Sequence, residues 1–257
     1  MADVVVASAE PNAGVTTIAA GVARVAGVEA AAFEGSLSSA VAANPGARVV
    51  LVATATAAVG EVAGQLRATP TAAGVILNRV PERKVAALRA EYETAGAKVL
   101  AVVPEDLMLA APTVGQFADA LGASGEFIEE NRDRALARPL IASIAADPGQ
   151  NYYATLDAQT VIVRSDKPDL QLSALNAGAR CLAVTGELPV LSYVLDRVRE
   201  DEIPLIRSPK DTKETMAVLE ELFGTAPFAG TEKAERIAAL LVGLDVDALR
   251  ARATNPA

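Results

Sequence analysis

The chain has 257 residues, 51% apolar and 21% charged, so it can bury a core and is not disordered. With 23 basic against 32 acidic side chains, a net charge of −9, it lacks the basic face a nucleic-acid partner needs. The absence of histidine removes Ser-His-Asp and Cys-His catalysis and His-ligated metals, and a single cysteine, Cys181, removes intrachain disulfides and Cys-rich zinc sites.

The N-terminus, MADVVVASAEP, has no basic n-region and no long apolar run. No stretch approaches ~18 uncharged apolar residues. A soluble cytoplasmic protein without a membrane partner is the expectation. Apolar runs Val4-Val5-Val6, Val49-Val50-Leu51-Val52, Gly74-Val75-Ile76-Leu77 and Val99-Leu100-Ala101-Val102-Val103 alternate with Ala-rich stretches. Ala30 to Phe33 is a further short strand candidate. Helices are expected over about 14–25, 57–68, 81–95 and 112–121. Continuous apolar strands separated by helices predict a parallel sheet covered on both faces.

The pattern pauses at Gly122-Ala123-Ser124-Gly125. A charged segment, Glu126 to Arg138, reads as a boundary helix or linker, its charges a solvated face with spaced ion pairs. A second α/β series follows, with strands over about 139–144, 160–164, 180–184 and 203–206 and helices over 169–177, 190–200 and 211–223. Beyond it, Glu232 to Val242 is amphipathic, with Ile237, Leu240 and Leu241 on one face. That stripe is expected to dock on a domain or on a second subunit, and it motivates a homodimer. The expected organisation is therefore a P-loop-like parallel-sheet domain over 1–122, a linker or boundary helix over 123–137, a smaller α/β domain over 138–230 and a C-terminal helical tail over 231–257.

Two sets of residues carry chemistry. Strand Val4–Ala7 runs into Ser8-Ala9-Glu10-Pro11-Asn12-Ala13-Gly14-Val15-Thr16-Thr17 and then into a helix. A strand, a small-residue loop and a helix N-terminus form the frame of a phosphate-binding loop, whose N–H groups and helix dipole face an anion. Asn12, Ala13, Gly14, Val15, Thr16 and Thr17 are the candidate phosphate-binding positions. Val15 stands where the motif has its lysine, and Ala9 where it has its first glycine. Arg24 lies about ten residues into the helix, ~15 Å from its start, too far to substitute. Negligible ATP hydrolysis follows, and Val15→Lys is expected to raise phosphate affinity. A purely structural βα turn would leave the same trace.

The second set is Asp166, Lys167, Thr185, Gly186, Asp211 and Thr212. Each lies after a predicted strand and before a helix, at the carboxyl edge of a parallel sheet, where ligands bind. Asp166 and Asp211 can accept hydrogen bonds, Thr185 and Thr212 can donate, and Lys167 and Lys210 can meet an anion. Helix capping would demand the same residue types. Cys181, mid-strand beside Arg180, reads as a buried apolar thiol. Tyr152-Tyr153, after Gly149-Gln150-Asn151, reads as a packing pair.

The first 122 residues resemble the dethiobiotin-synthetase-like P-loop fold, and most of all the version fused to the N-terminus of some phosphotransacetylases, where a hydrophobic residue also replaces the lysine. Phe33-Glu34-Gly35 resembles the Glu-Gly turn that helps hold magnesium, so Thr16 and Glu34 are the implied metal positions. With Val15 in place of the lysine, no tight magnesium site is expected. Gly74 to Val80 resembles the strand whose Asn, here Asn78, contacts the nucleotide base; Asn78 could equally start a turn. Val102-Val103-Pro104-Glu105-Asp106 with Ala110-Ala111-Pro112-Thr113-Val114 resembles the family's Pro-Glu-Asp turn and following helix, which brings Pro104 to the nucleotide. The long acceptor segment of the synthetases is missing between Arg24 and Glu34.

Residues 138–223 resemble the DRTGG domain, through Val161 to Leu172, Cys181 to Glu187, Ile203-Pro204-Leu205-Ile206 and Asp211-Thr212. Asp166-Lys167 stands for its Asp-Arg and Thr185-Gly186-Glu187 for its Thr-Gly-Gly. The resemblance implies a regulatory, ligand-sensing protein, non-catalytic or catalytically degenerate. It would bind ATP, another nucleotide or a small anionic metabolite, and act on a separate enzyme partner. The alternatives are an ATP-dependent ligase or amidotransferase of the dethiobiotin or cobyrinate type, and a structural assembly protein.

Overall fold

The computed structural model describes residues 2–143, 152–155 and 160–250. The Gly149-Gln150-Asn151 loop, residue 144 of the strand expected over 139–144, and the tail from residue 251 lie outside the described residues. The elements in order are β1 (Val4–Ser8), α1 (Val15–Ala26), β2 (Ala30–Phe33), α2 (Leu37–Ala43), β3 (Arg48–Thr54), α3 (Val59–Ala68), β4 (Ala72–Val80), α4 (Val85–Thr94), β5 (Val99–Pro104), α5 (Leu107–Ala110) and α6 (Val114–Leu121). They continue with β6 (Ser124–Glu126), β7 (Pro139–Ile141), β8 (Thr160–Arg164), α7 (Pro168–Asn176), β9 (Cys181–Thr185), α8 (Ser192–Glu200), β10 (Leu205–Ser208), α9 (Thr212–Leu222), α10 (Thr231–Leu240) and α11 (Val246–Arg250). The chain is mixed α/β, with a five-stranded parallel sheet in its N-terminal part and a second five-stranded sheet after it.

The chain divides into two compact units, one running to Asp106 and resuming at Ala234, the other Leu107–Lys233. In the first unit the order is β2-β1-β3-β4-β5, all parallel. Val4, Val5, Val6 and Ala7 are all buried, because helices cover both faces of the sheet and alternate side chains point to opposite sides. One face packs Val5, Leu51, Val75 and Leu77 with Leu37, Val62 and Tyr92. Gly14 (φ 86°) and Gly27 (φ 64°) bracket α1 in left-handed conformations that cost glycine little.

From Ala234 to Arg250 the tail belongs to this first unit. Ile237 and Leu241 are fully buried, and Leu240 is half-buried. A Cβ on Gly21 of α1 would lie 2.6 Å from Leu241 Cδ1 and 2.7 Å from Ile237 Cγ1, so the helices meet at the one α1 position without a side chain. Polar contacts reinforce the docking: Lys98 to Asp245 at 2.9 Å, Arg236 to Asp106 at 2.6 Å, Arg48 Nε to the Ala248 carbonyl at 3.0 Å and Arg250 Nη2 to the Ala26 carbonyl at 2.7 Å. The stripe expected to serve a homodimer therefore has its partner within the chain.

In the second unit the order is β6-β10-β9-β8-β7, with β6 antiparallel to β10 and the remaining pairs parallel. Strand alternation divides its core between two faces. Val161, Val163, Leu182, Val184 and Leu205 face one side with Leu175, Val194 and Val198, while Ile162, Cys181, Ala183 and Ile206 face the other with Phe117, Leu121, Leu136 and Leu219. The Tyr152 and Tyr153 rings meet edge-on at 5.7 Å, and Tyr153 is buried in the first of these layers, as a packing pair should be.

The expected boundaries need correction here. Helix α6 and the stretch over 123–137 fall in the second unit rather than ending the first or joining the two. The charged segment is no helix: β6 occupies 124–126, and Phe127 (φ 56°) and Arg138 (φ 49°) take left-handed conformations a helix excludes. A Cβ on Gly125 would meet the Leu205 carbonyl oxygen at 1.7 Å, so glycine is what lets β6 close on β10. The charges still pair, Arg132 with Asp119 at 2.5 Å and Glu129 at 2.9 Å.

Candidate functional site

The β1–α1 loop is held from within. Asn12 (φ 58°) and Gly14 turn it through left-handed conformations. Glu10 turns its carboxylate onto Thr54 at the end of β3, accepting from the backbone N–H at 2.9 Å and from Oγ1 at 2.5 Å. Asn78, buried at the end of β4, donates from Nδ2 to the Ala13 carbonyl at 2.8 Å and accepts from the Arg79 N–H at 3.0 Å. A Cβ on Gly14 would sit 2.6 Å from that Nδ2. Asn78 is thus a strut under the loop, with one N–H and one oxygen lone pair of its amide engaged by the backbone.

Val15 is 4% exposed and Ala13 1%, both in the core, while Asn12 and Thr16 are exposed and Thr17 is half-buried. The side chain at the lysine position therefore turns inward. Pro104 ends β5 half-buried, and Glu34 follows β2 exposed. Among the described residues, no group of three or more Asp, Glu or Cys gathers in a way that could hold a metal ion.

The second set of residues converges. Strands β8, β9 and β10 are parallel, and Arg164, Thr185 and Ser208 share one register row at their carboxyl ends. The three loops beyond that row line a cleft of about 530 Å³ with Arg164, Ser165, Asp166, Thr185, Gly186, Glu187, Leu188, Asp211, Thr212 and Lys213. Five of the six expected positions are in its wall. Lys167 is not; it is the exposed residue preceding α7. Lys210 does not line it either, whereas Lys213, the second residue of α9, does.

Thr185 and Thr212 hydrogen-bond through their hydroxyls at 2.8 Å, and Thr185 reaches the Val163 carbonyl at 3.5 Å. When Thr185 gives its one proton to Thr212 instead of the Val163 carbonyl, the Thr212 proton remains for a ligand oxygen. The Ser165 N–H donates to the Thr185 carbonyl at 2.7 Å. Gln171 fixes the β8–α7 loop by donating from Nε2 to the Arg164 carbonyl at 2.8 Å and the Ser165 carbonyl at 3.3 Å. Gly186 (φ 97°) lies so close that a Cβ would meet Ser165 Oγ at 2.9 Å.

Capping accounts for Asp211: it accepts from the Glu214 N–H at 2.8 Å, and Glu214 reciprocates, a capping box that starts α9. Asp166 has a different use. Its two oxygens accept from Arg164 Nε at 2.9 Å and Nη2 at 2.6 Å, and this hydrogen-bonded guanidinium holds its carboxyl below the usual range. Sequence reading missed Arg164, Ser165, Glu187, Leu188 and Lys213 as cleft residues. Their only signal was adjacency to the expected ones.

Cys181 is fully buried, and burial pushes its thiol up to about 12. Arg180 turns away to pair with Glu232, while burial, then the neighbouring Arg180, lowers the Arg134 pKa.

Parallel strands that end in one polar, loop-lined cleft form the arrangement at which open-sheet α/β domains take their ligands. Comparison with known families identifies it: a DRTGG domain is found at residues 116–222, inside the second unit. Among the described residues, no helix is long and apolar enough to cross a membrane.

Proposed function

We propose that this chain is a regulatory protein that binds an adenine nucleotide in the cleft of its DRTGG domain and acts on a separate partner chain. The observation that carries the reading is the convergence of the β8, β9 and β10 loops, with Arg164, Thr185, Gly186, Thr212 and Lys213, on one cleft. The DRTGG match supports a regulatory role.

The first unit supports the same reading from the other side. Its loop resembles that of the dethiobiotin-synthetase and phosphotransacetylase P-loop domains, yet Val15 points into the core, Glu10 turns its carboxylate onto Thr54 and Asn78 props the Ala13 carbonyl. A carboxylate in the loop and no lysine suit neither a γ-phosphate nor its transfer. The nucleotide therefore goes to the second unit, without magnesium held by Thr16 and Glu34. The reading includes a two-fold homo-oligomer, the commonest closed assembly, built by the second unit rather than the tail.

Isothermal titration of the full-length chain with ATP, ADP and AMP tests the proposal, alongside a Thr185→Val variant. Binding that Thr185→Val weakens tenfold or more, with no ATP turnover, is the expected result. Binding by none of the three, or binding unaltered by the substitution, sinks it. Sedimentation of the same protein as a monomer removes the oligomer.

A further inference from the structure

We infer that Arg164 is the phosphoryl-recognition group of the DRTGG cleft and that Asp166 holds its place: a bound phosphoryl group displaces the Asp166 carboxylate from the guanidinium fork. The inference rests on the cleft being a ligand site, as proposed above, and adds the residue that reads the ligand and the one that competes with it.

Arg164 is the last residue of β8, so the strand fixes its backbone at the mouth of the cleft. Two residues on, Asp166 occupies the Nε and Nη2 edge of the guanidinium with both oxygens. That edge presents two parallel N–H donors, the arrangement that also receives two oxygens of a phosphate. Carboxylate and phosphoryl oxygens compete for the same donors.

The pair is open to exchange. The Arg164 side chain is 63% exposed and that of Asp166 34%. An ion pair this wet contributes little by itself, so a phosphoryl group carrying more charge can replace the carboxylate. One oxygen of Asp211 is engaged by the α9 capping box, so Asp166 is the carboxylate that meets the guanidinium. Once Arg164 is released, Lys213 and the Thr212 hydroxyl add donors from the same wall. The phosphoryl group could belong to a nucleotide or to an inorganic polyphosphate.

Titrations of the full-length chain with ATP and with inorganic tripolyphosphate, on wild type, Asp166→Ala, Asp166→Asn and Arg164→Gln, test the exchange. Removing the competitor should tighten ATP binding by about 1.5- to fivefold in both Asp166 variants, the range that follows from an exposed ion pair. Arg164→Gln should weaken it at least tenfold, and the double variant Arg164→Gln with Asp166→Ala should match Arg164→Gln alone. Both residues are exposed, so thermal melting of every variant should stay near wild type and serves as the folding control. Tripolyphosphate binding as tightly as ATP assigns a bare phosphate chain, and ATP alone binding assigns a nucleotide; the exchange holds in either case. Wild type that binds while the Asp166 variants fail to gain, or while Arg164→Gln loses nothing, overturns the exchange and leaves the cleft reading intact. No binding by wild type overturns the cleft reading, and the exchange with it.

Discussion

Val15 shows how far one residue can be read from sequence. Its position in the loop marks a missing lysine, and the expected consequence was that Val15→Lys would restore phosphate affinity. The side chain is 4% exposed and turned into the core, so an ammonium there is buried without a partner. Val15→Lys should cost about 2 kcal/mol in chemical denaturation and leave phosphate binding unchanged. A tighter phosphate complex with undiminished stability contradicts that account. Cys181 followed its sequence reading, because a thiol between apolar strand neighbours has few alternatives. It should resist alkylation in the native chain and react fully in denaturant. Its burial also gives a pH dependence with a definite sign. Cys181, raised from 9.0 to about 12, and Tyr92, raised by burial from 10.0 to about 12, both favour the protonated form in the folded state. The unfolded chain releases those protons first, so their contribution is complete below pH 9 and is lost as pH rises towards 12. Stability measured from pH 8 to 11 should fall, and Cys181→Ala should flatten the fall between 9 and 11.

At the scale of elements, strand and helix types were legible and their partners were not. The apolar runs at Val4, Val49, Val75 and Val99 became β1, β3, β4 and β5 because a strand buried on both faces must be apolar throughout. Helix α6 was legible as a helix over about 112–121, and Thr113 and Gln116 form its capping box. Its apolar face carries no address. Phe117 and Leu121 could have covered either sheet, and they cover the second. The segment after it misled for a related reason. Spaced charges suit a helical face, yet Gly125 lets β6 pair with β10, and sheet hydrogen bonds outweigh the helical preference of a short segment. The tail helix also found a partner that its stripe could not name. Gly21→Val should force Ile237 and Leu241 away from α1, destabilising the chain by about 2 kcal/mol. Hydrogen exchange should then quicken in α1 and α10 while the β8–β10 strands keep their protection; uniform quickening would mean the contact does not act locally.

For the whole molecule, the first unit is discontinuous, and this reverses the expected fragments. Residues 1–122 take α6 away from its sheet and lack the helices that cover Gly21, so that piece should be unstable or aggregate. Residues 107–233 are a continuous unit with both core layers and should fold alone with cooperative melting. If 1–122 melts cooperatively and 107–233 does not, the division at Asp106 and Lys233 is wrong. The same division moves the candidate site. Six residues scattered from Asp166 to Thr212 were picked out as strand-to-helix loop residues, and five share a cleft because parallel strands bring such loops to one edge.

The sequence by itself determined the class of the fold, the number of strand-and-helix series, the inertness of Cys181 and the strand ends at which a ligand could be met. These follow from local chemistry: apolar runs, capping residues, and the rule that parallel strands expose their loops together. Only the tertiary structure decided that Asn78 braces the Ala13 carbonyl, that the tail from Ala234 packs in the first unit, that α6 belongs to the second, and that Arg164 and Lys213 line the cleft while Lys167 stays outside. Each of those depends on which side of an element faces which neighbour. A repeating apolar pattern states that a face will be buried, but the partner that buries it is chosen by packing between residues as far apart as Gly21 and Leu241.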